Sequence, residues 1–252
     1  FNWRGERVLR NSPGEQNYLH LRYDDHNWNA DFDARFHLDA RSRLTFHHSF
    51  AHFDRDATSL LARENEKSPI ARATTKHISG LSYLFTPDDR WNVTLFGKLY
   101  NLHVSGPVST SDLQEKFVRK THHLSYFGFG GAGTYRFNPN WQIKLSYERA
   151  CRLPNVDELF GDDDLETGSV TLRPEQSHNL NLNLSYSLHR GMHHVLAEVG
   201  GIFRDTRDYI QRNVIGVGGG RYGASYVNFG RVRTYGLNPS LRYDLGRRLS
   251  AG

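Results

Sequence analysis

Two long alternating runs, one on either side of a polar excursion, constrain this chain more than anything else in it. Trp141, Ile143, Leu145 and Tyr147 share one parity, and Gln142, Lys144, Ser146 and Glu148 the other. Leu180, Leu182, Leu184, Tyr186 and Leu188 then alternate with Asn179, Asn181, Asn183, Ser185 and Ser187. Successive strand side chains point to opposite faces, so each run presents one apolar and one polar face. That pattern suits an antiparallel sheet with one face on a core, or a transmembrane β-barrel with lipid outside and water inside. Length separates the two. Soluble strands usually have about 5–6 residues, while a strand crossing a bilayer needs about 9–11. These runs have the longer span.

Hydrophobic residues make up only 37% of the chain, and no stretch approaches the roughly 18 apolar residues of a membrane helix. A barrel wall evades that test because every second residue faces water. The 13% aromatic content and 23 glycines suit such a wall. The 32 basic and 27 acidic residues are interspersed, which gives no nucleic-acid footprint. The single cysteine, Cys151, excludes an internal disulfide and reads as a small space-filler. The sequence starts Phe1-Asn2-Trp3, and its only methionine is Met192. With no signal-peptide pattern, the expectation is a mature or excised piece of an exported protein.

Taken in order, strands and connections alternate. Asn11-Ser12-Pro13-Gly14 is a turn signal. Tyr18 to Leu38 is extended, and its apolar parity slips between Tyr23 and Trp28, which predicts a β-bulge near Asp24 to Asn27. Short turns are expected at Asp39–Ser42, Pro87–Arg90, Asn138–Asn140, His189–His193 and Gly246–Arg248. Long loops are expected at Asp54–Thr74, Ser105–Thr121 and Val214–Gly223, the last with a mobile glycine-rich tip. Every long loop falls at one end, as in outer-membrane barrels. Aromatics flank the short turns: Phe85, Trp91, Tyr135, Phe137, Trp141, Tyr186 and Tyr243. They form the interfacial girdle expected at headgroup level.

The central stretch also carries a family resemblance. Ser146-Tyr147-Glu148, Arg152-Leu153-Pro154, Glu158-Leu159-Phe160-Gly161 and Leu172-Arg173-Pro174-Glu175-Gln176-Ser177 follow one another in order. The set resembles the mid-barrel signature of TonB-dependent outer-membrane receptors. The resemblance implies an all-β, antiparallel meander forming a partial transmembrane β-barrel wall, here of about nine to ten long strands. Barrels of that family close at about 22 strands, so residues 1–252 read as a fragment of a barrel domain. No plug domain, signal peptide or TonB-engaging segment is recognisable in it. The implied parent imports a scarce nutrient (siderophore, vitamin or glycan) by active transport through the outer membrane. Its implied partners are membrane lipid, the parent's plug domain, TonB through the N-terminal part, and a small-molecule or glycan substrate, with no nucleic acid.

Residue roles follow from this reading. Phe32, Phe36, Leu182 and Leu184 are expected to meet lipid, and Arg35, Lys144, Glu148 and Asn181 to line the lumen or touch the plug. Arg152 and Glu158 lie where a strand gives way to an external loop, either bracing the loop or meeting ligand at its mouth. Asp162 and Asp164 share that mouth in an acidic tip, Asp162 to Gly168. The tip's alternate acids suggest a calcium loop, but the glycine is one place late and no bidentate Glu follows. A solvated tip is the simpler account, with a cation or a cationic ligand group as the alternative.

Gly128-Phe129-Gly130-Gly131-Ala132-Gly133 fits G-x-G-x-x-G, yet it continues as strand instead of opening a helix. Small residues in a wall closely approached by another backbone explain it better. The adjacent pairs His47-His48, His122-His123 and His193-His194 invite a zinc site. In the first two pairs, neighbours on a strand point apart, and the third lies in a predicted turn. No metal, cofactor or catalytic constellation is therefore expected. The rival reading is a soluble β-sandwich-type glycan or protein binding module, whose apolar faces would be buried against each other. A simple porin shares the wall but has no need of the Arg-Leu-Pro and Pro-Glu phrases.

Overall fold

The computed structural model describes residues 2–10, 17–59, 71–109, 117–162, 166–218, 221–246 and 249–251. Twelve strands and one short helix occupy these residues: β1 (Asn2–Arg10), β2 (Asn17–His37), β3 (Ser42–Ser59), β4 (Arg72–Phe85), β5 (Trp91–Ser109), β6 (Phe117–Arg136), β7 (Trp141–Arg152), α1 (Val156–Phe160), β8 (Glu166–Thr167), β9 (Glu175–Arg190), β10 (His193–Gly218), β11 (Arg221–Leu245) and β12 (Leu249–Ala251). All but β8 form a single antiparallel meander in chain order, and β8 pairs parallel with β11. Nine strands, β2 to β7 and β9 to β11, have between 12 and 26 residues.

Register holds across all nine apart from one shift between Gly216 and Gly218 at the far end of β10 and β11. One lateral row reads Phe36, Leu44, Tyr83, Leu95, Gly131, Tyr147, Leu180, Phe203 and Tyr235. Its neighbour on the opposite face reads Arg35, Thr45, Ser82, Phe96, Gly130, Glu148, Asn179, Arg204 and Thr234. The sheet thus has one apolar and one largely polar face. No second sheet covers the apolar rows among the described residues: Phe32, Phe36, Leu182 and Leu184 are all exposed. Exposed apolar area on this scale marks a surface that another apolar medium covers.

Short turns close one end of the meander with repeated side-chain-to-backbone bonds. Asp88 Oδ1 accepts from the Arg90 and Trp91 amides at 2.8 and 3.0 Å, and Asn138 Oδ1 from those of Asn140 and Trp141 at 2.9 and 3.0 Å. Such short polar side chains replace the backbone partners a tight turn leaves open. Asp39 does the same for the Arg41 amide at 2.6 Å, which holds its carboxyl below the usual range. The predicted turn at His189–His193 contracts to Gly191-Met192, with Gly191 at φ +61°. Above these turns the aromatics pair across strands, Trp91 with Tyr135 at 4.4 Å and Trp141 with Tyr186 at 4.7 Å between ring centroids.

Two expectations need correction. The strands outrun the predicted loops: β3 continues to Ser59, β5 to Ser109 and β10 to Gly218, while β6 starts at Phe117 and β11 at Arg221. In these extensions the two faces no longer contrast: β3 adds residues 54–59, mostly polar on both sides, and β10 adds residues 214–218, apolar or glycine throughout. Alternation therefore no longer signals a strand although the ladder continues. The predicted bulge is absent, since β2 pairs with β3 residue for residue from Leu21↔Ser59 to His37↔Arg43. The apolar parity changes there because Tyr23 is buried on the polar face, opposite Ala57 and beneath Arg55, while Trp28 points to the apolar face. The same switch recurs on β5, where Leu99 is exposed and Leu102 fully buried.

The glycine run in β6 is approached by its neighbouring strand. A Cβ on Gly130 would lie 2.4 Å from the Tyr147 carbonyl oxygen and 2.6 Å from the Phe96 ring. Gly130→Val is therefore expected to destabilise the fold by about 1–3 kcal/mol through forced backbone displacement. A lowered thermal midpoint of the full-length protein in detergent would show it; an unchanged midpoint would contradict the close packing.

Candidate functional site

The buried cluster lies on the polar face, at the end carrying the long connections. Phe53 of β3, Leu102 and Val104 of β5 and Ile210 of β10 supply the wall side. Leu159, Phe160, Val170 and Leu172, from the connection between β7 and β9, supply the other. This connection, residues 153–174, folds back across the sheet as a strap. Phe160 stacks on Phe53 with centroids 6.1 Å apart. Gly106 makes room beneath, since a Cβ there would meet Val170 at 2.9 Å and Phe160 at 3.0 Å.

Local sequence explains the strap's shape. Asn155 caps α1: its side chain accepts from the Glu158 amide at 2.7 Å, and Glu158 Oε2 accepts from the Asn155 amide at 2.8 Å. This reciprocal pair satisfies two otherwise unbonded donors. Gly161, at φ +66°, ends the helix and donates to the Asp157 carbonyl at 2.8 Å. Beyond it, Asp162 Oδ1 accepts from the Glu166 amide at 2.8 Å. Glu166 in turn accepts from Arg212 at 2.7 Å and from the Tyr226 hydroxyl at 3.0 Å, tying the tip to β10 and β11.

Arg152 joins the two feet of the strap. Its Nη1 and Nη2 donate to Glu158 at 3.1 and 3.0 Å, and Nη2 donates to Glu175 at 2.8 Å. The same Glu175 oxygen accepts from the buried Ile210 amide at 2.9 Å. The carboxylate side chains are only 11% and 9% exposed, against 43% for Arg152, so the guanidinium is what keeps two sequestered negative charges compensated. Lys76 of β4 donates to the Pro154 carbonyl and fixes the first foot. At the second foot, Arg173 pairs with Asp208 at 2.6 Å, and Asn228 Nδ2 donates to the Arg173 carbonyl at 2.8 Å.

The predicted residues fall into separate places. Arg152 and Glu158 come together; Asp162 sits beyond the helix on the same strap; Asp164 lies outside the described residues. Arg35, Lys144, Glu148 and Asn181 occupy the polar face: Lys144, Asn181 and Glu148 neighbour one another on β7 and β9, while Arg35 stands apart on β2. Glu148 accepts from Lys98 at 2.8 Å, and Asn181 donates to Ser146 at 3.2 Å. His47 bonds Asp33 on the polar face while its neighbour His48 bonds Ser79 on the other. Sequence reasoning left Lys76, Asn155 and Arg212 unassigned, read Glu166 only as part of the solvated acidic tip and gave Glu175 no role beyond its motif. Asn155 was findable, because Asn-x-x-Glu before an apolar pair is a capping signature. The others bond across 23 residues or more, where no local pattern reaches.

Chemically the site is a brace. Its charges are internally paired, and no nucleophile stands beside a base among the described residues. The family described as TonB dependent receptor-like, beta-barrel, matches residues 1–252. The chain belongs to this family. The antiparallel meander is accordingly part of a TonB-dependent receptor barrel wall, and the family is one of outer-membrane transporters, not enzymes.

Solved structures share the fold at low identity. The hemophore receptor HasR of Serratia marcescens, a double mutant in complex with its hemophore HasA and heme, matches at 17% identity and TM-score 0.58, over 91% of this chain and 41% of its own. The copper transporter OprC matches at 12% and 0.69, over 91% and 37%. The FrpB iron transporter from Neisseria meningitidis (F3-3 variant) matches at 14% and 0.60, over 90% and 34%. The chain thus spans between 34% and 41% of the length of these receptors. No curated protein sequence matches it.

Proposed function

We propose that the receptor containing this wall takes up a scarce nutrient, a siderophore, vitamin or glycan, by active transport energised through TonB, and that the 153–174 strap forms part of the vestibule its ligand crosses. The strap supports this reading because it folds over the polar face, which is the lumen side of a barrel wall, instead of projecting away from it. Arg152 and Glu158 act through position by holding the strap, and Asp162 and Asp164 are the residues assigned to ligand contact. Arg35, Lys144, Glu148 and Asn181 line the lumen beneath, where the parent's plug packs. Residues 1–252 are a fragment of the barrel domain of that receptor. Solved structures that share the fold include an iron transporter, a copper transporter and a hemophore receptor in complex with its hemophore and heme, which lends support to a metal chelate as the substrate class.

Cells whose only such receptor is the full-length protein are expected to accumulate one member of a panel (a ferric siderophore, a corrinoid, an oligosaccharide) only when TonB is present. The Asp162→Asn/Asp164→Asn double variant should then take it up about tenfold less at limiting concentration, the loss of one or two hydrogen bonds to a charged group. Uptake independent of TonB would refute the transport reading. TonB-dependent uptake untouched by the double variant would refute only the placement of the tip.

A further inference from the structure

On the apolar face, β3 and β4 set histidines among phenylalanine and leucine. One lateral row across β2 to β6 reads Phe32, His48, Ser79, Leu99 and Phe127. The next row toward the long connections reads Ala30, Phe50, His77, Asn101 and Ser125. On β5 and β6 the exposed apolar run ends at Leu99 and Phe127, and Asn101 and Ser125 begin its polar continuation. His48 and His77 therefore straddle the upper edge of the acyl-facing band. Ionisable side chains at membrane depth are costly and mark functional sites.

The geometry of the pair is specific. His48 Nδ1 bonds the Ser79 hydroxyl at 2.8 Å, and a proton donated there leaves the Nε2 lone pair free. Nδ1 of His77 stands 3.5 Å from that Nε2. The gap is longer than the roughly 2.7–3.2 Å of a good hydrogen bond. It is close to the roughly 3.3–3.4 Å that separates two imidazole nitrogens sharing a tetrahedral ion, each about 2.0–2.1 Å from it. Ser79 supplies the outer hydrogen bond that metal-binding histidines make through their second nitrogen. Both rings are half-buried, and Phe50 packs on His77 with ring centroids 5.1 Å apart, which restrains its rotation.

A polar path reaches the pair from the aqueous side. Farther along the same face, His52 bonds the Thr75 hydroxyl at 2.8 Å and lies 4.0 Å from Asp54. Among the described residues no third histidine, cysteine or carboxylate completes a cluster with the pair, so the remaining coordination positions fall to water. The objection to neighbouring histidines as chelators does not apply here, because these two come from different strands and share one face.

We propose that His48 and His77 bind a divalent transition-metal ion, of which zinc is the type, on the outside of the wall. Imidazole suits zinc, copper and nickel, whereas calcium and magnesium require oxygen ligands. The bound ion ties β3 to β4 where the acyl layer ends, with its open positions toward the headgroups. The site lies on the face opposite the strap and the lumen, so the proposal goes beyond the uptake function and is independent of the cargo.

The test uses the full-length receptor in mild detergent after chelator treatment. Calorimetric titration with zinc chloride is expected to reveal a saturable site. His48→Gln and His77→Gln should each weaken it at least about tenfold, the least that losing even an outer-shell partner costs. His47→Gln, which alters the opposite face, should leave it unchanged, and calcium chloride should not occupy it. In zinc-soaked crystals of the unaltered receptor, anomalous scattering should place a peak about 2.0–2.1 Å from both nitrogens. Equal zinc binding by the unaltered receptor and the His48→Gln/His77→Gln double variant overturns the proposal. So does an anomalous map without a peak between the two rings, an observation that requires no variant to fold.

Discussion

Leu182→Arg is expected to destabilise the receptor in a bilayer by about 2–4 kcal/mol, whereas Asn181→Arg, one residue away, should cost less than about 1 kcal/mol. Leu182 lies in the row Leu145, Leu182, Gly201 and Leu237, between the girdle row containing Trp141 and Tyr186 and the upper apolar row containing Tyr147 and Leu180. A guanidinium there has to reach an interface through acyl chains. Asn181 points to the opposite face, where it donates to Ser146 and an arginine can extend into water. Denaturant titration of the two full-length variants refolded into lipid vesicles measures the difference. Comparable losses in both would mean that the leucine rows do not face acyl chains.

Arg152→Ala is expected to cost about 2–3 kcal/mol. Breaking a buried ion pair typically costs about 3–5 kcal/mol, reduced here because the guanidinium is partly exposed and screened. The substitution strands Glu158 and Glu175, both largely sequestered, and weakens the anchor to the Ile210 amide. Loss should concentrate in the strap: amide exchange of residues 155–161 and of Ile210 should rise by one to two orders of magnitude, with the girdle end of the strands unaffected. Arg152→Lys, which keeps the charge but not the fork, should fall between. A strap that exchanges at the same rate with and without the guanidinium would show that apolar burial of Leu159 and Phe160 suffices to hold it.

Much of the wall was legible because membrane strands carry a strong period-two signal. Trp141 to Glu148 and Leu180 to Leu188 gave face, length and pairing direction, and Asp88, Asn138 and Gly191 marked turns by their own chemistry. The signal faded where physics stopped demanding contrast between faces. In the outer parts of β3, β5 and β10 the two sides no longer differ in polarity, so continuing strand looked like loop. The supposed bulge near Asp24 had the same origin: a change in which side was dry was mistaken for a change in register. The strap was the least legible part. Leu159, Phe160, Val170 and Leu172 show no periodicity and are buried by residues up to about a hundred positions away, which only the folded sheet brings together.

The unbroken lateral rows from Phe36 to Tyr235 also limit how such a gene can drift. Losing one codon within β5 would turn Thr94, Lys98 and their like outward and draw Leu95 and Leu99 inward along the rest of that strand. Insertions and deletions between those two residues should therefore survive in the turns and long connections, or inside a strand in twos. Length variation among descendants of this chain should be even-numbered in the wall and unrestricted outside it.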